Sequence, residues 1–182
     1  MLQITIPAEP ERWDEKKQEF VGPTKSYTLQ LEHSLVSLSK WESKWCTPFL
    51  SKRAKTLEET IDYIKCMTIT KNVPSSVYDN LTEANVAEIS AYIEAPMTAT
   101  TFSEDRSGKK NREIVTAEVI YYWMIALNIP MSCEKWHLNK LITLIRVCNI
   151  KNTPPKKMSK REIMSRNKAL NDARRRKMNS KG

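Results

Sequence analysis

Glycine is nearly missing from this chain: Gly22, Gly108 and Gly182 are the only three among 182 residues. A loop that cradles phosphate through closely approaching backbone amides needs several glycines at fixed spacing, so P-loop and dinucleotide-binding fingerprints are excluded. GxSxG and HExxH are absent as well, which removes the familiar arrangements for an activated serine and a zinc-bound water. Histidine is almost as scarce. His33 and His137 each follow an acid within three residues, Glu32 and Glu134, a pairing too common to indicate acid–base chemistry. No enzyme is expected, and no catalytic, cofactor-binding or metal-binding residue is assigned.

Paired cysteines are lacking too. Cys46, Cys66, Cys133 and Cys148 contain no CxxC and read as reduced thiols packed in a core. Cys133 and His137 stand one helical turn apart, a spacing that suits two ligands of one metal. Cys148 lies 11 residues beyond His137, about 16 Å along a helix. A zinc site would therefore need Cys46 or Cys66 to arrive from elsewhere. The longest apolar run, VIYYWMIAL from Val119 to Leu127, is far short of the roughly 20 residues that span a bilayer. It is read as a buried helix, and no membrane partner is expected. The opening residues lack the features of a secretory signal, which places the chain in the cytoplasm of the cell that makes it.

What the sequence does have is positive charge, and that charge is concentrated. From Lys151 to Gly182 there are twelve Lys/Arg against two acids, a net +10; the +9 of the whole chain leaves residues 1–150 at −1. The organisation read from this is one globular, mainly helical domain, residues 1–152, and a basic helical tail, residues 153–182.

LQITI and SYTLQLEH alternate as short strands do and are expected to pair, with a charged, proline-containing segment between them. Leu35, Leu38, Trp41 and Trp45 then recur at helical intervals. Thr56 and Glu59 have capping-box spacing at the head of TLEETIDYIKCM, with Leu57, Ile61, Ile64 and Met67 as its apolar face. VPSSVYDNL and TEANVAEISAYIEAP read as two short helices, the second capped by Thr82 and stopped at Pro96. Thr98–Glu113 reads as an exposed connection. EIVTAEVIYYWMIALNIP, apolar on nearly all sides after Glu118, reads as a central helix. MSCEKWHLNKLITLIRVCNI follows so closely that the two should be antiparallel neighbours. In it Leu138, Leu141, Ile142, Ile145 and Cys148 form one stripe. Trp123, Trp136 and His137 lie in this unit, and the two tryptophans are assigned to the core.

Pro154 and Pro155 should end the preceding helix. Beyond them Ser159 and Glu162 have capping-box spacing, Met158 and Ile163 occupy the staple positions, and a helix from about Lys160 to Lys177 is predicted. Its apolar face is thin: Ile163, Leu170 and Ala173. A helix with so little to bury projects from the core or finds its partner in another molecule. The expected fold is mainly α: a compact helical domain with a short N-terminal β-strand pair and a projecting basic C-terminal helix. The candidate partner-binding residues are Ile163, Arg166, Lys168, Leu170, Arg174, Arg175 and Arg176.

REIVTAEVIYYWMIALNIPMSCEKWHLNKLITLIRVCNIKN, with LEHSLVSLSKWESKW and the closing KKMSKREIMSRNKALNDARRR, resembles small structural-region proteins of tailed bacteriophages, and among them tail assembly chaperones. The likeness runs through most of the chain from about Leu31 onward and rests on overall wording, so it transfers no functional residue. It implies a non-enzymatic morphogenesis factor, made in the cytoplasm of the infected bacterial host. Such a factor binds the long apolar tape measure protein and helps tail tube subunits assemble around it. A virion component of the neck or tail would look much the same, and so would a small nucleic-acid-binding protein using its basic helix. An oligomer is compatible with each reading.

Overall fold

The computed structural model describes residues 1–8, 12–15, 18–21, 25–102, 114–154 and 159–178. Strands β1 (Leu2–Ile6) and β4 (Tyr27–Leu31) pair antiparallel, with Leu2 opposite Leu31 and Ile6 opposite Tyr27. Period-two alternation buries Ile4, Ile6, Leu29 and Leu31 on one face. Between them β2 (Arg12–Asp14) and β3 (Glu19–Val21) make a second antiparallel pair, which the charged composition of that stretch does not announce.

The helices start where their caps say they should. In α1 (Leu35–Trp45), Ser34 and Ser37 satisfy each other's backbone N–H at 2.9 and 3.3 Å. Thr56 and Glu59 do the same for α2 (Leu57–Met67) at 2.8 and 3.2 Å, and Thr82 with Asn85 caps α3 (Glu83–Glu94). VPSSVYDNL forms a 3₁₀ turn, Ser75–Asn80, rather than an α-helix. Then come α4 (Ala117–Ala126), a second 3₁₀ turn (Met131–Lys135), α5 (Leu138–Asn152) and α6 (Lys160–Met178). The fold is mainly α with an N-terminal antiparallel strand pair. Contacts divide the chain into two compact units, Met1–Asn149 and Ile150–Gly182.

Within the first unit α1 is the central element: α2, α4 and the 131–135 turn all pack on it, while α3 packs on β1. Leu35, Leu38 and Trp41 of α1 are fully buried, as are Ile120, Met124, Leu138 and Leu141. The residues just after β4 act as a junction. Glu32 N–H donates to the Met67 carbonyl, and Leu138 N–H donates to the His33 carbonyl at 2.7 Å. Distant helix ends are thereby drawn to one short segment.

Several expectations are corrected. The Val119–Leu127 helix is not buried all round: Tyr122 and Ile125 are each 67% exposed, and α4 turns Ala117, Ile120 and Met124 inward. Leu57 is exposed because the buried face of α2 rotates to Tyr63, Ile64 and Met67. Trp136 belongs to the surface, where the Lys140 ammonium sits 4.6 Å from its ring centroid. Finally, α4 packs chiefly on α1 rather than on α5, since the 131–135 turn and the Ser34–His137 bridge hold the start of α5 elsewhere. His137 accordingly precedes α5 instead of sharing a helix with Cys133. The assignments to Met158, Pro155 and Ser103–Glu113 lie outside the described residues.

Glycine scarcity has a backbone consequence. Left-handed conformation is taken by Gln18, Cys46, Asn72, Met97 and Asn128. Asparagine tolerates that region through its short polar side chain; Cys46 and Met97 have no such help.

Candidate interaction surface

Helix α6 is built by its ends. Ser159 N–H donates to Glu162 Oε2 at 2.8 Å and Glu162 N–H to Ser159 Oγ at 3.2 Å, so the capping box satisfies two donors of the first turn. Glu162 lies at the positive end of the helix dipole and Arg175, Arg176 and Lys177 at the negative end, the favourable sense for both. Nineteen residues of helix thus form without burying one of them.

Helical geometry divides the candidate residues between faces. Ile163, Arg166 and Leu170, at i, i+3 and i+7, form one stripe, with Arg174 at its edge. Ile163 is 44% and Leu170 47% exposed. Lys168 and Arg175 lie on the opposite side, with Met164, Asn171 and Asp172. Arg176 adjoins that side. The seven residues are therefore two surfaces, one apolar with flanking guanidiniums and one cationic.

The first unit holds a polar cluster that the sequence does not reveal. His33 Nδ1 is 2.5 Å from the Tyr63 hydroxyl, and its ring meets that of His137 edge-on with centroids 5.1 Å apart. Asn139 N–H donates to His137 Nδ1 at 3.3 Å, so Nε2 carries the proton and donates to the Tyr92 carbonyl at 3.0 Å. Tyr92 O–H in turn donates to Glu32 Oε1 at 2.7 Å, and Glu32 Oε2 pairs with the Met1 amino group at 2.9 Å. Burial, helped by His137, lowers the His33 pKa to about 4. Burial likewise lowers that of His137 and raises the Tyr63 and Tyr92 phenols. His33, His137, Tyr63 and Tyr92 are buried, and both nitrogens of His137 are committed within the fold. Among the described residues no group of three or more His, Cys, Asp or Glu is placed to hold a metal. Nor is any helix among them long and apolar enough to cross a membrane.

Comparison with protein-family models, with curated proteins and with solved structures gives no match.

Proposed function

We propose that this chain is a non-enzymatic morphogenesis factor of a tailed bacteriophage, a tail assembly chaperone that engages the tape measure protein through α6. The observation that carries the reading is the state of α6: a capped helix of 19 residues with nothing buried and an exposed Ile163–Leu170 stripe. Tertiary packing normally stabilises a helix of this kind through its apolar face. A partner helix with an apolar seam and acidic flanks would supply that packing and meet the cations beside it. Its residence is then the cytoplasm of the infected host.

The test is recovery of the full chain from infected cells alongside mass spectrometry of purified particles. Capture of a long, apolar, coiled-coil-rich phage protein, with the chain missing from finished particles, is the expected result. Stoichiometric presence in particles would instead favour a neck or tail component. A second reading, nucleic-acid binding, draws on the cationic face formed by Arg161, Lys168, Arg175 and Arg176, since such a face releases counterions from phosphate.

A further inference from the structure

Apart from α6, the body contains an apolar cavity of about 120 Å³ between the loop after α1, α2 and α3. A cavity of about 150 Å³ lined by apolar side chains accepts benzene, so this one is of the size of a single side chain. Its aromatic part is rigid. Phe49 and Tyr63 stack with centroids 3.9 Å apart, and Trp41 meets Phe49 edge-on at 5.0 Å. Phe49 N–H is fixed on Glu42 Oε1 at 2.8 Å, and the Tyr63 hydroxyl is held by His33. Ile64, Val86, Ile89 and Ile93 complete the apolar lining.

One cation borders this cavity. Lys55 Nζ lies 4.2 Å from the Phe49 ring centroid and is partly withdrawn from water. Lys44 pairs with Asp62, and Arg53 with Glu59 at 2.5 Å. Lys55 makes no ion pair among the described residues. Burial lowers its pKa, Arg53 adds to that, and Glu59 opposes it. An apolar hole beside a partly desolvated ammonium that makes no direct ion pair among the described residues is complementary to an apolar group next to a carboxylate.

We propose that this cavity is a docking point for a partner protein segment that seats one leucine- or phenylalanine-sized side chain in the space that Tyr63, Val86, Ile89 and the edge of Phe49 line and sets an adjacent Asp or Glu carboxylate against Lys55. The side chain contributes by leaving water. The carboxylate contributes because the pair forms where solvent screening is reduced. Because the aromatic floor is already fixed by Glu42 and His33, little ordering is required on binding. The site stands independently of what α6 engages.

The test uses the full chain, followed by amide NMR during titration with two capped tetrapeptides, acetyl-Ser-Phe-Asp-Ser-amide and its Asn counterpart. Millimolar Asp peptide should shift the amides of Lys55, Thr60 and Ser90, and the Asn peptide should bind about tenfold more weakly, as expected for loss of one charged partner. Lys55→Gln should remove that preference, and Val86→Phe, which fills the cavity, should abolish the shifts. No shift at these amides would overturn the proposal. Equal binding of the two peptides, or a preference retained in Lys55→Gln, would also overturn it.

Discussion

Glu42 on α1 holds the start of α4: its Oε2 accepts the Ala117 N–H at 2.7 Å across 75 residues of sequence. Its other oxygen accepts the Phe49 N–H at 2.8 Å. Thr116, the N-cap of α4, makes no side-chain cap hydrogen bond. The buried carboxylate of another helix therefore does the work of the missing cap, with its charge at the positive end of the α4 dipole.

Replacing Glu42 with Ala leaves two backbone donors buried without an acceptor. Hydrogen bonds to charged groups are worth about 1.5–3 kcal/mol each, so Glu42→Ala should lower unfolding stability by about 3 kcal/mol, with Glu42→Gln in between. Urea denaturation measures both. A loss below about 0.5 kcal/mol, the size of an ordinary surface change, would show that these bonds carry no net stability.

The two buried histidines set an acid limit. His33 has a folded pKa of about 4 against an ordinary 6.5. Between those values the unfolded chain takes up a proton that the folded chain refuses, so stability falls as pH falls. The slope from one such group is at most about 1.4 kcal/mol per pH unit, and the His33 contribution is complete above 6.5. Glu59, held below its ordinary 4.5 by Arg53, loses its contribution only at lower pH. In the window from 6.5 down to 4.5, His33→Gln should therefore flatten the pH dependence measured by thermal melts. An unchanged slope would remove His33 as its source.

Local signals were legible in the sequence where local physics decides the structure. The Thr56, Thr82 and Ser159 caps, the LQITI–YTLQL pairing and the inward stripe of Leu138, Leu141 and Ile145 depend on residues within a turn or on one periodicity. The Glu42–Ala117 bond depends on α1 lying beside α4, and no spacing encodes that. The same holds for α4, whose run of apolar residues conceals an outward face at Tyr122 and Ile125 because periodicity cannot show which side a neighbour covers. For the candidate site, the composition of α6 was plain. Its division into an apolar face at Ile163–Leu170 and a cationic face at Lys168–Arg175 emerges once the helix is known to be continuous. The Lys55 cavity has no signal at all, since its lining comes from three separate segments.

Cys46 ends α1 in the left-handed region, at φ 49° and ψ 36°. A side chain with a Cβ pays about 1 kcal/mol there, and glycine does not. Cys46 is exposed, so Cys46→Gly should raise stability by up to about 1 kcal/mol, less the entropy glycine adds to the unfolded chain. Cys46→Ala, which keeps the Cβ, should not. A comparison of the two by chemical denaturation isolates the backbone effect from loss of the thiol, and equal stabilities would dismiss it.

The two faces of α6 separate the two readings of its charge. If phosphate binding were the main role, contacts to 6–10 phosphates would weaken binding about 10³–10⁵-fold between 50 and 200 mM salt. Substitution on the cationic face, Lys168→Ala, would then reduce both affinity and salt slope. If a protein partner is held by the apolar stripe, Leu170→Asp places a carboxylate in the seam and should weaken binding at least about tenfold, while Lys168→Ala mainly slows association at low salt. Leu170 is 47% exposed and α6 buries nothing, so neither change should unfold the body, and circular dichroism of each variant checks this. The expected pattern is a large Leu170→Asp loss against a tape measure fragment together with weak binding to duplex DNA at physiological salt. Tight DNA binding that depends steeply on salt and is lost in Lys168→Ala would transfer the function to the cationic face.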